Sequence, residues 1–210
     1  MSLISVKDGT GNQVIVKRTI DIFLSSLGII LLSPVFLLIA IFVKLDSRGP
    51  AMFVHERIGK DFKPFGLYKF RTMIHNPTGK GPSITAEGDP RITRAGKILR
   101  KTKIDELPQI FNVLKGEMSF VGPRPEAEKY VELFKDDYEE ILKIRPGITD
   151  YAAIEFRDEE AILGKYDNVE EGYVKEVLPQ KIRLYKKYIR EKGFLKDLHL
   201  MFLTVQRLIR

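Results

Sequence analysis

IFLSSLGIILLSPVFLLIAIFV, residues Ile22 to Val43, runs for twenty-two positions without a charge and carries Ser33-Pro34 at its centre. As a helix it would be about 33 Å long at 1.5 Å per residue, enough to cross a hydrocarbon core of roughly 30 Å. It exceeds the roughly 7–15 apolar residues of a secretory signal, and no small-x-small cleavage site follows before Lys44. Positive charge flanks it on both sides: Lys17 and Arg18 before, and Lys44, Arg48, Arg57, Lys60 and Lys63 after. Basic residues stay cytoplasmic, so the heavier C-terminal group predicts a cytoplasmic domain. Keeping Lys17 and Arg18 on the same side requires the segment to re-enter and leave by one face. Pro34 permits that, because it lacks the N–H for its i−4 bond and biases Ser33 away from helical geometry. A serine hydroxyl beside it can satisfy a freed carbonyl in the membrane. The same residues also fit a spanning helix with a proline kink.

The 210 residues, less this anchor and a Gly- and Asn-containing tail, leave room for one domain. The net charge of +7 and pI near 9.4 suit anionic headgroups, phosphorylated substrates or nucleic acid. Without cysteine, disulfide and thiolate chemistry are excluded. His55, His75 and His199 are scattered with no metal-ligand spacing. Gly79-Lys80-Gly81-Pro82-Ser83 lacks the spacing of a P-loop, and no nucleophile elbow, paired-His zinc motif or dinucleotide fingerprint is present.

Ala51–Arg57 and Lys63–Met73, rich in Phe, Val and Tyr, flank Gly59-Lys60-Asp61 and predict a β-hairpin. Ile74 to Pro90 reads as a long loop, and Arg91–Leu99 as a short basic helix. A second helix is expected from near Lys103, with Thr102 as N-cap and Asp105 in the capping-box position. It should stop at Lys115-Gly116. Pro108 is tolerable there only in the opening turns. Glu126–Lys143, Val177–Arg190 and Phe194–Arg210 have helical periodicity. The last has Leu195, Leu198, Met201, Phe202, Val205, Leu208 and Ile209 on one face, a pattern that suits either a membrane interface or packing on a core.

Six cations (Arg91, Arg94, Lys97, Arg100, Lys101, Lys103) precede the adjacent acids Asp105 and Glu106, with no acid between. A helix N-terminus and nearby cations would favour an ionised carboxylate, ready as a nucleophile or as a ligand for a hard metal ion. A cap at Asp105 and a surface acid at Glu106 are the plainer alternatives. Arg124, between Pro123 and Pro125, and Arg145 before Pro146-Gly147 sit on stiff backbone. Lys69 and Arg71 flank Phe70 and should share a strand face. Guanidinium forks in such number suit phosphate.

These residues resemble the bacterial sugar transferase family, the small monotopic phosphoglycosyl transferases. The similarity covers about residues 16–149. It rests on Lys17-Arg18-Thr19-Ile20-Asp21, Ser33-Pro34, Tyr68-Lys69-Phe70-Arg71-Thr72-Met73, Asp89-Pro90-Arg91-Ile92-Thr93-Arg94, Leu99-Arg100-Lys101-Thr102, Asp105-Glu106-Leu107-Pro108-Gln109, Asn112 to Ser119, Val121-Gly122-Pro123-Arg124-Pro125 and Arg145-Pro146-Gly147-Ile148-Thr149. Several motifs in order make it specific.

The resemblance implies a helix-dominated α+β fold: a tail over residues 1–16, a re-entrant membrane hairpin over 17–44 broken at Ser33 and Pro34, a cytoplasmic catalytic domain over 45–176, and amphipathic interfacial helices over 177–210. It places the protein at the bacterial inner membrane. It also implies transfer of a sugar 1-phosphate from a UDP-sugar to polyprenyl phosphate, with Mg²⁺, at the first membrane step of glycan assembly. In that scheme Asp105 attacks the sugar-bearing phosphate and also holds the metal, and Glu106 helps as acid or base. Lys69, Arg71, Arg91, Arg94, Arg100, Arg124, Arg145 and Arg157 would face the phosphates, with Lys69, Arg100 and Arg124 nearest. Membrane lipids are the expected partners rather than nucleic acid, and a homodimer is compatible. After Thr149 many relatives continue with Gly and Leu-Ala-Gln-Val-Asn-Gly-Arg, whereas this chain has Asp150 to Phe156 before Arg157. If that segment helps bind nucleotide or sugar, the donor specificity of relatives does not carry over to this chain. No extra membrane helices accompany the anchor, as expected of a minimal catalytic unit. A non-catalytic binder of anionic lipid or nucleic acid, and a phosphodiester hydrolase, are the alternatives.

Overall fold

The computed structural model describes residues 11–74, 84–86 and 88–209. Residues 1–10 of the tail, and residues 75–83 and 87 of the expected loop, with His75 and Gly79 to Ser83, lie outside the described residues. Helix α1 spans Gly11–Asp46 and passes through Pro34. The helix-break-helix expected at Ser33-Pro34 is therefore absent as an interruption of helical structure. The reason is local: Pro34 cannot donate to the Ile30 carbonyl, and the Ser33 hydroxyl donates to it instead at 2.9 Å. The helix is long and apolar enough to cross a membrane, with a mean hydropathy of 2.7 in its most apolar stretch.

The α1 helix packs on the rest of the protein along a single stripe. Near its start, Lys17 donates to the Val121 carbonyl at 2.9 Å and to the Tyr188 hydroxyl at 3.1 Å, and pairs with Asp197. Arg18 donates to the carbonyls of Val113 and Leu114 at 2.6 and 2.8 Å, and Asp21 accepts from the Phe120 N–H at 3.3 Å. Near its end, Val43 is buried with Phe70 and Leu99, and Asp46 accepts from the Ala95 N–H at 3.0 Å. The opposite face is bare: Ile30, Leu31, Leu37 and Leu38 are all more than 60% exposed.

The expected hairpin forms from β1 (Met52–Ile58) and β2 (Pro64–Phe70), paired antiparallel with Phe53 opposite Lys69. Helix α2, Arg94–Thr102, docks its first turn on Thr72, two residues past β2. Thr93 caps it, accepting from the Gly96 N–H, and the Thr93 N–H donates to the Thr72 carbonyl at 3.0 Å. The approach is so close that a Cβ on Gly96 would fall 2.0 Å from that carbonyl oxygen. Gly96→Ala is accordingly expected to cost at least about 3 kcal/mol, a Tm drop of roughly 6–12 °C by thermal melt.

Thr102 ends α2 rather than capping the next helix; its hydroxyl donates back to the Ile98 and Leu99 carbonyls. Lys103 then turns into the left-handed region at φ 57°, and Ile104–Glu106 forms one 3₁₀ turn. Helix α3, Gln109–Lys115, follows and ends as expected at Gly116, φ 88°. Asn112 bolts α3 to β2, accepting from the Tyr68 N–H at 3.0 Å and donating to the Gly66 carbonyl at 2.7 Å.

Strand β3, Ser119–Val121, pairs in parallel with β4, Gly147–Thr149, an element too short to be visible in the sequence. A Cβ on Gly147 would lie 2.0 Å from Gly122 N, so two glycines let these chains touch. The single helix expected over Glu126–Lys143 is two: α4, Glu128–Leu133, and α5, Lys135–Ile141, separated by Phe134 at φ −123°, ψ 39°. Phe134 leaves helical geometry while packing on the main core, so tertiary contact overrides periodicity there. Short helices α6 (Tyr151–Glu155), α7 (Glu159–Leu163) and α8 (Val169–Gly172) lead through a π turn into α9, Leu178–Glu191. Helix α10, Phe194–Ile209, buries Leu200 against Val121 and Tyr188 while leaving Leu195 and Phe202 mostly exposed. The architecture is helix-dominated α+β with two small sheets.

Candidate active site

Asp105 and Glu106 lie in the turn between α2 and α3, and their environments differ. Asp105 is buried, 5% exposed, and its Oδ1 has no hydrogen-bond partner among the described residues. Burial, and then the adjacent charge of Glu106, push its carboxyl up to about 6, against the pull of Lys69, Arg100 and Lys103. The sequence led to the opposite expectation, a lowered value; desolvation outweighs the cations. Glu106 behaves in reverse. Burial alone would raise it, but Arg124 and Lys69 hold it well below the usual carboxylate range. Its Oε1 accepts from Lys69 Nζ at 2.9 Å and from Arg124. Two neighbouring carboxyls are thus pushed apart, one easily protonated and one fixed as an anion, the pattern of a site with divided roles.

Close contact between Gly122 and Gly147 fixes the Pro123-Arg124-Pro125 turn on the β3–β4 pair, which carries Arg124 to Glu106. Lys69 comes from β2, and Arg100 from the last turn of α2. The Arg100 guanidinium donates through Nε and NH2 to Glu160 Oε1 at 3.0 and 2.6 Å, and through NH1 to Thr72 Oγ1 at 3.2 Å. Lys69, Arg100, Arg124, Asp105 and Glu106 are therefore brought together.

Other predicted phosphate ligands are placed elsewhere. Arg71 follows β2 but is buried, and donates to the Val43 and Ser47 carbonyls at 3.2 and 2.7 Å and to that of Arg48. It caps the C-terminal end of α1 instead of sharing a face with Lys69. Arg145 donates to the Gly116 carbonyl at 2.7 Å, at the far end of α3 from Asp105. Arg91 forks onto Asp89, with Nε to Oδ1 at 3.0 Å and NH2 to Oδ2 at 2.6 Å. Arg94 opens α2 and is exposed. Arg157 lies between α6 and α7 with a buried Nε that has no partner among the described residues. His55 contacts Arg57, and burial first, then the Arg57 charge, push it down to about 3, so it stays neutral.

Behind Arg124 lies a buried ionic cluster that spacing did not reveal. Lys181 pairs with Glu126 and Glu159, each at 3.0 Å, and donates to the Tyr173 hydroxyl at 3.0 Å. Burial opposes the Lys181 charge, but Glu126 outweighs it and keeps the ammonium protonated. Asp150 is fully buried and caps α6 through the Ala153 N–H at 2.7 Å; burial raises it to about 7.

Residues 12–210 match the family of bacterial sugar transferases. The chain belongs to that family. A UDP-N-acetylgalactosamine-undecaprenyl-phosphate N-acetylgalactosaminephosphotransferase of Aeromonas hydrophila is 45% identical over 144 residues, 66% of this chain and 34% of that protein. A UDP-glucose:undecaprenyl-phosphate glucose-1-phosphate transferase of Escherichia coli K12 is 38% identical over 199 residues, covering 93% of this chain and 40% of that protein. One of the same description from Caulobacter vibrioides is 36% identical over 196 residues, 92% of this chain and 69% of that protein. This sugar transferase thus spans well under half the length of the first two relatives. All motifs quoted above fall inside the family match, and so do the five residues gathered at Asp105.

Proposed function

We propose that this protein is a membrane-bound phosphoglycosyl transferase. It moves a sugar 1-phosphate from a UDP-sugar to undecaprenyl phosphate and releases UMP. The observation that carries this is the buried, unpartnered oxygen of Asp105 beside a Glu106 that two cations hold ionised. A desolvated carboxylate oxygen with no donor on it is a competent nucleophile.

Asp105 attacks the phosphorus that bears the sugar; the bond to UMP breaks, UMP leaves, and an aspartyl phosphosugar remains. An acceptor phosphate oxygen then attacks that phosphorus, giving polyprenyl diphosphate sugar and free Asp105. Lys69, Arg100 and Arg124 offset the repulsion among two carboxylates and two phosphorylated substrates. Glu106, held as an anion well below the usual carboxylate range, has no proton to donate and is a weak base, so in this reading it orients Lys69 and Arg124 instead of serving as the acid or base expected of it.

Mg²⁺ fits this site through Asp105. The ion takes one or two carboxylate oxygens from a protein and fills its shell with phosphate and water. No cluster of three acidic, imidazole or thiol groups forms an all-protein cage among the described residues. Bound at Asp105, Mg²⁺ would neutralise donor phosphate charge. UMP release should appear with one member of a UDP-sugar panel plus undecaprenyl phosphate, and stop in EDTA. Without acceptor, label from the sugar should stay on Asp105. Turnover with no trapped label under any quench, or undiminished turnover in EDTA, counts against the covalent step or the metal respectively.

Re-entry of α1 from the cytoplasmic face is supported by its packing. Lys17, Arg18 and Asp21 at one end and Val43 and Asp46 at the other touch the same polar domain. A straight span would place those ends on opposite sides of a bilayer. The bare Ile30–Leu38 face would lie in one leaflet, and the exposed Leu195 and Phe202 of α10 at its interface. Cysteines at Gln13 and Lys60 should both resist an impermeant external reagent in intact cells; labelling of only one shows a crossing helix.

A further inference from the structure

The cations around Asp105 are not left to fall onto it. Lys69 is tied to Glu106 at 2.9 Å, and Arg100 is tied to Glu160 by two bonds to one oxygen. Arg100 lies in the last turn of α2 and Asp105 in the 3₁₀ turn that follows it, next to the Glu106 that Lys69 holds, yet Asp105 Oδ1 receives a hydrogen bond from neither cation. A guanidinium beside a buried carboxylate ordinarily forks onto it. Something must hold Arg100 back, and Glu160 occupies its Nε–NH2 edge.

Glu160 is itself held in place. It sits in the first turn of α7, and the residue before it, Glu159, pairs with buried Lys181 at 3.0 Å. Lys181 pairs in turn with Glu126, two residues beyond Arg124. Adjacent acids thus reach two ways, Glu159 into the core and Glu160 to the site. Thr72, on which α2 also docks through its carbonyl, takes the third nitrogen of Arg100.

We propose that Glu160 is a positioning residue that restrains Arg100 and so keeps the Asp105 oxygen open to the donor phosphate. This rests on Asp105 being the nucleophile. Freed from Glu160, Arg100 would swing its fork onto Asp105 and block the attacking lone pair.

The test is the burst of UMP released by the full-length protein from its UDP-sugar without acceptor. Glu160→Ala should slow that burst by roughly 10–100-fold, the scale of a misplaced reacting group, with KM for the donor changed by less than about threefold. Glu160→Asp should recover part of the rate. In an Arg100→Gln background, Glu160→Ala should slow the burst no further, because the residue acts through Arg100. A burst within twofold of the parent rate, or losses that multiply in the double variant, overturns the proposal. A crystal structure of Glu160→Ala decides it independently of turnover: Arg100 on Asp105 supports it, and Arg100 unmoved overturns it. Undiminished activity of Asp105→Asn would instead remove the nucleophile assignment.

Discussion

Asp105→Asn is expected to lose transfer by a factor of about 10⁴ or more while making the metal-free protein more stable. The first effect follows from chemistry, since an amide oxygen cannot form the acyl phosphate, and removal of a covalent nucleophile typically costs this much. The second follows from burial. The folded protein holds this carboxyl at about 6, above its ordinary 3.8, so the folded state disfavours the anion. Below pH 3.8 both states carry the proton and there is no penalty. Between pH 3.8 and about 6 the unfolded carboxyl ionises while the buried one keeps its proton, so the cost builds across that window to about 2–3 kcal/mol and stays at that level through neutral pH. Asn removes it. Thermal melts in EDTA should show the variant several degrees higher at pH 7.5 and level with the parent near pH 4. Retained transfer, or a variant less stable than the parent at pH 7.5, contradicts this account of Asp105.

The second large effect is expected at Arg124. Arg124→Met would leave Glu106 desolvated with Lys69 as its remaining cation. Breaking one side of a buried pair costs about 3–5 kcal/mol, and if Arg124 faces the phosphates as proposed, its loss slows turnover by roughly 10²–10³-fold. Adding Glu106→Gln should recover most of the stability, since the orphaned charge goes with it, but none of the activity. Chemical denaturation of the two single variants and the double variant closes the cycle. If the double variant is as unstable as Arg124→Met, the loss came from packing and not from the unpaired carboxylate.

Local features of the fold were legible. The apolar run, the hairpin, Gly116 as a helix stop and the two C-terminal helices each depend on neighbours a few residues away. The Asp105-Glu106 pair, Lys69 and Arg124 could be picked out because motif order carried them. What failed needed distance. Strands β3 and β4 are three residues each and owe their pairing to glycines far apart in sequence. Arg71 looks like any phosphate ligand until the open carbonyls of α1 arrive beside it. Thr102 has the spacing of a capping box, yet Lys103 in the left-handed region ends one helix there and makes the acids part of a tight turn. Glu160 lies sixty residues from Arg100, and no periodicity links them. The direction of the Asp105 shift was misjudged for a related reason: charge is visible in a sequence, whereas desolvation is not.

The seam between α1 and the domain has a practical corollary. Trimming residues 11–46 to obtain a soluble protein would strip Arg71 of its acceptor at Val43, deprive the Ala95 N–H of Asp46, and bare Val113, Leu114 and Phe120 where Arg18 and Asp21 now sit. The greasy segment is as much a keystone as a tether, so preparations of this protein must retain it and be handled in detergent or nanodiscs from the outset.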